Sequence, residues 1–286
     1  MLTKEQINNF QNTSLLVREH IIRMSTDGGC FIGASLSCTD ILVYLYRNYI
    51  NIDKKNLKDP NRDFVFLSKG HDVPALYGTL AELGFIEKAR LQNHLKTNDN
   101  IYWHPNRSIP GVEYYSGSLG HLPAVALGVA KDLKMKGMNN KVLCITGDGE
   151  LNEGSVWETL LVAAAHKINN LTLVIDRNHF QANMATEELI PLENLTQKFE
   201  AFNCEVQRID GHDFQALHAA FSQLPYSTQK PSIIICDTIR GKGLPSIEAR
   251  ADRWFVNFTH DEVQQLLQEL HGVATTELIS ETIVAR

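Results

Sequence analysis

Val142-Leu143-Cys144-Ile145-Thr146 runs without a break into Gly147-Asp148-Gly149-Glu150. A short, continuous apolar run bounded by turn residues reads as a strand buried on both faces, the kind found in parallel sheets. The residues around it repeat the pattern. Residues 156–166 suit a helix, and 171–175 (Leu-Thr-Leu-Val-Ile) form a second apolar strand ending in Asp176-Arg177-Asn178. Residues 205–209 and 232–236 read as further strands, with a helix over 214–224 between them. Strands that alternate with helices predict an α/β fold, a doubly wound and mainly parallel sheet with helices on both faces.

Upstream, apolar positions recur with helical spacing over 4–24, and a Gly-rich loop follows at Asp27-Gly28-Gly29. A second helix is expected over 37–49, begun by the hydroxyl of Ser37 or Thr39. Residues 64–67 suit a strand, and 73–83 a helix stopped by Gly84. Residues 96–118 are rich in Asn, Pro, Gly, Ser and aromatics, and a loop of that length in a compact domain is usually functional. Helices are expected over 119–134 and 261–270. No internal repeat or low-complexity tract interrupts the chain, so residues 1–286 are expected to form one domain, with the tail after about residue 270 peripheral.

The 286 residues are 43% hydrophobic and 21% charged, as in ordinary globular proteins, and the formal net charge is −6. Nothing in that balance points to nucleic acid or a membrane surface. The five cysteines are scattered and form no Cys-x-x-Cys pair, which fits a reducing compartment. The N-terminus has no apolar signal core, and no apolar run approaches the roughly 18 residues of a membrane span. A cytoplasmic location is expected.

In a parallel sheet, ligands gather at the carboxyl ends of the strands. Gly147 and Gly149 would let backbone N–H groups approach a phosphate, and Asp148 or Glu150 could ligate a divalent cation bridging to phosphate oxygens. The same residues would also serve as a simple turn. Asn178, at the end of the next strand, favours the ligand site, because an Asp, an Asn and a backbone carbonyl make a sensible hard-cation set. His71 and His104 lie in loops, where an isolated histidine is more often structural than catalytic. His94, His166, His218 and His271 fall in helical segments and carry no assigned role. Glu150, Glu153 and Glu158 crowd the start of the helix after the glycines, where negative charge is favourable in any case.

Taken together, these segments resemble the thiamine-diphosphate domain of transketolases, and in particular the short N-terminal subunits of split transketolases. The likeness is carried by Gly33-Ala34-Ser35-Leu36-Ser37, Asp40-Ile41-Leu42, Leu67-Ser68-Lys69-Gly70-His71, Ala75-Leu76-Tyr77 and His104-Pro105. It continues through Pro110-Gly111-Val112-Glu113, Gly117-Ser118-Leu119-Gly120-His121, Gly147 to Gly154, Asp176-Arg177-Asn178, Asp210-Gly211-His212-Asp213 and Gly241-Lys242-Gly243, and spans about residues 10–270. The resemblance implies thiamine diphosphate with Mg²⁺ (or Ca²⁺ or Mn²⁺) as cofactors. Asp148, Asn178 and the Phe180 carbonyl would hold the metal, and the Gly149 N–H and His71 would meet the diphosphate. Gly117 and Leu119 would line the cofactor channel, joined by Glu150. His104 would face the reacting carbon. Glu153 and Glu158 would lie at an interface linking two cofactors.

In this family the Glu that activates the aminopyrimidine belongs to a second domain, which this chain does not contain. The resemblance therefore implies a C-terminal transketolase-like partner and an α2β2 heterotetramer, moving a two-carbon ketol unit from a ketose to an aldehyde among sugars or sugar phosphates. The sequence departs from the family at four places. Phe31 and Phe255 stand where it usually has histidines, Asn183-Met184 replaces an Asp-Gly, and Leu122 a Gly. Three readings follow: an ordinary split transketolase; an enzyme with a non-standard donor or acceptor, making an acyloin or a branched sugar; and a non-catalytic scaffold. Retention of Asp148, Asn178, His71 and His104 argues against the scaffold, while Phe31 and Phe255, as substrate-pocket residues, argue against the ordinary enzyme.

Overall fold

The computed structural model describes residues 1–280. In chain order it contains α1 (Lys4–Arg23), α2 (Ile32–Ser37), α3 (Thr39–Tyr44) with a π turn over Leu45–Tyr49, β1 (Phe64–Leu67), α4 (Val73–Glu82), α5 (Leu122–Met135) and β2 (Val142–Gly147). Then come α6 (Gly154–Ala165), β3 (Leu171–Arg177), the short strands β4 (Phe180–Gln181) and β5 (Met184–Ala185), α7 (Thr186–Leu189), α8 (Leu195–Ala201), β6 (Glu205–Asp210), α9 (Phe214–Ser222), β7 (Ser232–Asp237) and α10 (His260–Leu270). Five strands form one parallel sheet in the order β1-β2-β3-β7-β6.

The continuous apolar strands are buried on both faces because successive side chains point opposite ways. Val65, Leu67, Leu143, Ile145, Val174 and Ile234 enter one core with α1, α3, α4 and α9. Phe66, Cys144, Leu173, Ile175, Ile233 and Ile235 enter the other with α5, α6 and α8. β1, β2, β3 and β7 thus feed two helical layers, as expected from their lack of polar alternation, whereas β6, at the edge of the sheet, is polar and only partly buried.

Two helix starts differ from expectation. The stretch 37–49 is not one helix: the chain is already helical at Ile32, breaks at Cys38 and resumes at Thr39. Neither hydroxyl caps it, since Ser37 Oγ donates to Ala34 O at 2.8 Å and Thr39 Oγ1 to Ser35 O at 2.9 Å. The helix expected from residue 119 starts at Leu122, because Gly120 takes a left-handed φ of +81° and Pro123 sits in the first turn. The β4–β5 hairpin, α7 and α8 carry no strong periodicity and were not expected.

Residues 96–118 contain no helix or strand, as foreseen. The tail is less peripheral than expected as far as Ser280. Ile279 and Ser280 donate their N–H groups to Glu262 Oε1, and Arg253 Nη1 donates to Ser280 O. Residues 281–286 of that reading lie outside the described residues. Among the described residues, no helix is long and apolar enough to cross a membrane.

Candidate functional site

The carboxyl ends of β2 and β3 lie side by side, with Gly147 paired to Asp176 and the Asp148 N–H donating to Asp176 O at 3.2 Å. That register brings Asp148 and Asn178 to one cavity of about 400 Å³, together with His71, His104, Gly117, Leu119, Gly149, Glu150, Phe180 and Phe31. Three other cavities, of about 430, 450 and 650 Å³, are larger but contain none of these groups. Lining chemistry, and not size, selects this one.

Asp148 is buried and anchored. Its Oδ2 accepts from Arg177 Nη1 at 2.7 Å and from the His179 N–H at 2.8 Å, and its Oδ1 accepts from the Gly149 N–H at 2.8 Å. Burial pushes its pKa up, and the Arg177 guanidinium works against that rise. The Gly149 N–H, expected to meet a diphosphate, is therefore turned onto the neighbouring carboxylate. A glycine is still required there, because an added Cβ would lie 2.8 Å from the Gln181 side chain.

Glu150 is a strap. Its carboxylate accepts from Ser68 Oγ, from the Gly120 N–H at 2.7 Å and from the Gly147 N–H at 3.2 Å, and burial raises its pKa. It joins three loops at the cavity floor.

His71 and His104 both line the cavity, and burial lowers the pKa of each. Neutral imidazole can donate from one nitrogen and accept at the other. Gly117, at φ +136°, packs against His104 so closely that a Cβ would sit 2.8 Å from its ring. This close approach explains the glycine.

Phe31 lines the cavity, but Phe255 does not. The chain bends at Trp254 and Phe255 just before the bridge between Val256 and Cys30, and Trp254 lines the cavity while Phe255 does not. Phe255 meets Phe31 edge to face at 5.1 Å and Trp103 at 6.0 Å, while Trp254 lies 5.1 Å from Phe31. Glu153 and Glu158 are exposed and lie outside the cavity lining. Glu153 precedes α6 and Glu158 lies within it; the helix also exposes Leu161 (57%) and Val162 (44%).

Two cations at the cavity went unnoticed in the sequence. Lys69 is buried, ion-paired with Asp176 and with Asp72 at 2.7 Å. Burial alone would lower its pKa, but the two carboxylates hold it well above the ordinary value. Asp176 is the mirror case: burial would raise it, yet Lys69 and its hydroxyl donors hold it low. Cys38, Asp72 and Asp176 bring ligand atoms within 4.8 Å of one another, but Lys69 Nζ already occupies the carboxylates as their cation.

Arg240 is the second. Only 2% exposed, it donates from Nη1 to Ala182 O at 2.7 Å, and its Nε and Nη2 have no hydrogen-bond partner among the described residues. Burial lowers its pKa to about 10, so it stays charged at neutral pH. Arg240 follows β7, the strand beside β3, and counting a third adjacent strand end would have found it.

The donor set fits a divalent cation and an anionic group together. Asp148 and Asn178 offer hard oxygens, and Arg240 offers buried N–H groups with no partner among the described residues. The family described as transketolase, thiamine diphosphate binding domain, matches residues 20–281. The chain is 36% identical over 251 residues to one of the subunits of the apulose-4-phosphate transketolase of Actinobacillus succinogenes, covering 87% of this chain and 91% of that one. It is 32% identical over 270 residues to the SqwG subunit of the 6-deoxy-6-sulfo-D-fructose transketolase of a Clostridium species, covering 94% and 98%. The crystal structure of transketolase from Campylobacter jejuni superposes with a TM-score of 0.81 at 28% identity, over 95% of this chain but 43% of that one. The chain thus spans about two fifths of the solved enzyme and nearly the whole of the two separate subunits, and it belongs to the transketolase family, as a thiamine-diphosphate-binding domain.

Proposed function

We infer that this chain is the cofactor-binding component of a two-component transketolase, which transfers a two-carbon ketol unit from a ketose to an aldehyde. The observation that carries this is the convergence of Asp148, Asn178, His71, His104 and Arg240 on one cavity, in a chain whose similarity spans 91% and 98% of two separate subunits. Asp148, Asn178 and the Phe180 carbonyl would hold Mg²⁺, with Ca²⁺ or Mn²⁺ as substitutes, and Arg240 would neutralise the diphosphate. When bound, thiamine diphosphate supplies the carbon nucleophile for the donor carbonyl. His71 and His104, held neutral, can exchange hydrogen bonds with donor hydroxyls as charge develops. The apolar wall of Phe31, Leu119, Phe180 and Trp254 excludes water from the reacting carbon.

The relatives are named as subunits, which supports a partner chain. We place that partner in an α2β2 assembly, with Glu153, Glu158 and the exposed apolar face of α6 at an interface. Purified alone, the chain should turn over no ketol substrate; with a C-terminal transketolase partner it should. Robust turnover by the single chain would refute the two-component reading.

A second reading concerns the substrate. Phe31, Trp254 and Phe255 form a contiguous aromatic wall, and the relatives act, by name, on apulose 4-phosphate and a 6-deoxy-6-sulfo sugar. The phenyl rings of Phe31 and Phe255 can neither donate to nor protonate sugar oxygens, a service typically worth about 10²- to 10⁴-fold in rate. The reconstituted enzyme should therefore work weakly on xylulose 5-phosphate with ribose 5-phosphate, and Phe31→His should raise that activity more than Phe255→His. Turnover at a kcat/KM of about 10⁴ M⁻¹s⁻¹ or above would assign it to ordinary transketolase chemistry.

A further inference from the structure

Side chains 176 and 178 share one side of β3 and its extension, and 177 takes the other. Arg177 accordingly reaches Asp148, while Asp176 and Asn178 meet each other. Asp176 is fully buried and collects donors from four segments. Its Oδ2 accepts from Lys69 Nζ, from Ser37 Oγ at 2.6 Å and from Asn178 Nδ2 at 3.1 Å; its Oδ1 accepts from Thr238 Oγ1.

An ionised carboxylate can only accept hydrogen bonds. Any amide facing it must present nitrogen. On the other side of the same amide, the Phe180 N–H donates to Asn178 Oδ1 at 3.1 Å, which requires oxygen there. The two neighbours therefore select one of the two amide orientations.

We propose that Asp176 is a positioning residue for the cation site, fixing the Asn178 amide so that its nitrogen faces inward and its oxygen is left for the metal. The proposal rests on the metal reading given above. It follows from the chemistry of the ligand, since a hard divalent cation needs the oxygen and is repelled by the amide NH₂. The competing account is that Asp176 only neutralises buried Lys69. In that case its loss would lower stability and leave cation affinity alone.

The test is a Mn²⁺ titration of the full chain with thiamine diphosphate, followed by electron paramagnetic resonance, with thermal unfolding measured in parallel. Asp176→Leu removes every acceptor and should weaken Mn²⁺ binding by about 10- to 100-fold, the usual range for a residue that orients a ligand. Thr238→Val removes a different donor from the same carboxylate, so it should lower stability while leaving Mn²⁺ affinity near wild type. Asp176→Asn can keep a carbonyl oxygen toward Lys69, Ser37 and Asn178 and turn its NH₂ to the Thr238 hydroxyl, so it should lower stability and retain most of the Mn²⁺ affinity. A folded Asp176→Leu that binds Mn²⁺ like wild type overturns the proposal. So does an Asp176→Asn that loses Mn²⁺ affinity; should Asp176→Leu not fold, Asp176→Asn is judged against wild type. An unchanged affinity in Asn178→Ala would instead bring down the metal reading and the proposal with it.

Discussion

Two clusters of buried charge in this protein are built on opposite plans. Among the helices, Arg18 of α1 grips Asp40 of α3 with both terminal nitrogens, at 3.0 and 2.7 Å, and donates from Nε to Lys242 O. His212 closes the cluster: its Nε2 accepts from the Ile239 N–H and its Nδ1 meets Asp40 Oδ2 at 2.8 Å. Every polar atom of Arg18 and Asp40 has a partner. At the carboxyl end of the sheet, Lys69, Asp176 and Asp148 are likewise paired, but Arg240 keeps two nitrogens and Arg177 one without a hydrogen bond among the described residues. Buried polar atoms without partners are costly in a finished core. The saturated cluster suits architecture, and the unsaturated one, which borders the cavity, suits the ligand role proposed for it.

Substitution should separate the two plans. The largest effect is expected in the saturated cluster. Asp40→Asn leaves Arg18 buried without its counter-charge, which typically costs about 3–5 kcal/mol of stability. Urea unfolding should show that loss, while calorimetry on the folded fraction should show cofactor affinity unchanged. The effect has a pH signature. Burial alone would raise the Asp40 pKa, but Arg18 and His212 hold it well below the carboxylate range. Its stabilisation is therefore complete above about pH 4, where the unfolded carboxyl is ionised, and fades as pH falls through the depressed folded pKa. The gap between wild type and Asp40→Asn should narrow in acid.

At the site, Asp148→Ala should cut affinity for thiamine diphosphate with Mg²⁺ by about 10²-fold, because an anionic ligand is lost. Unchanged affinity in calorimetry would place Asp148 in the architectural class with Asp40. The smallest expected effect is the most diagnostic. Arg240→Met should weaken diphosphate binding about tenfold, the worth of one charge-assisted hydrogen bond of about 1.4 kcal/mol. It should at the same time leave the fold equally or more stable, because a desolvated and underpaired charge is replaced by an apolar chain. A loss of stability would mean that Arg240 is already satisfied by the protein.

Motifs can also mislead about place. Asp40 and His212 belong to two of the segments that carry the transketolase resemblance, yet the structure joins them into a packing device outside the cavity lining. Asp148 and Asn178 were legible because each directly follows a strand visible as an apolar run, and adjacent parallel strands align their ends. Lys69 and Arg240 were not singled out, because a cation beside glycines in a loop looks solvated until burial is known. Trp254 and Phe255 could not be told apart, since the choice between them is made at a bend held by the pairing of Val256 with Cys30, over two hundred residues away.

The sequence by itself determined the parallel sheet, its two helical layers and the strand ends that bear the site. These follow from local apolar pattern, which registers burial on both faces within five or six residues. Only the tertiary structure decided which polar groups are saturated, which of two neighbouring aromatic rings reaches the cavity, and that the Gly149 N–H turns to Asp148. Those outcomes depend on donors and acceptors brought together from segments far apart in the chain. No local pattern records whether a buried charge will find all its partners.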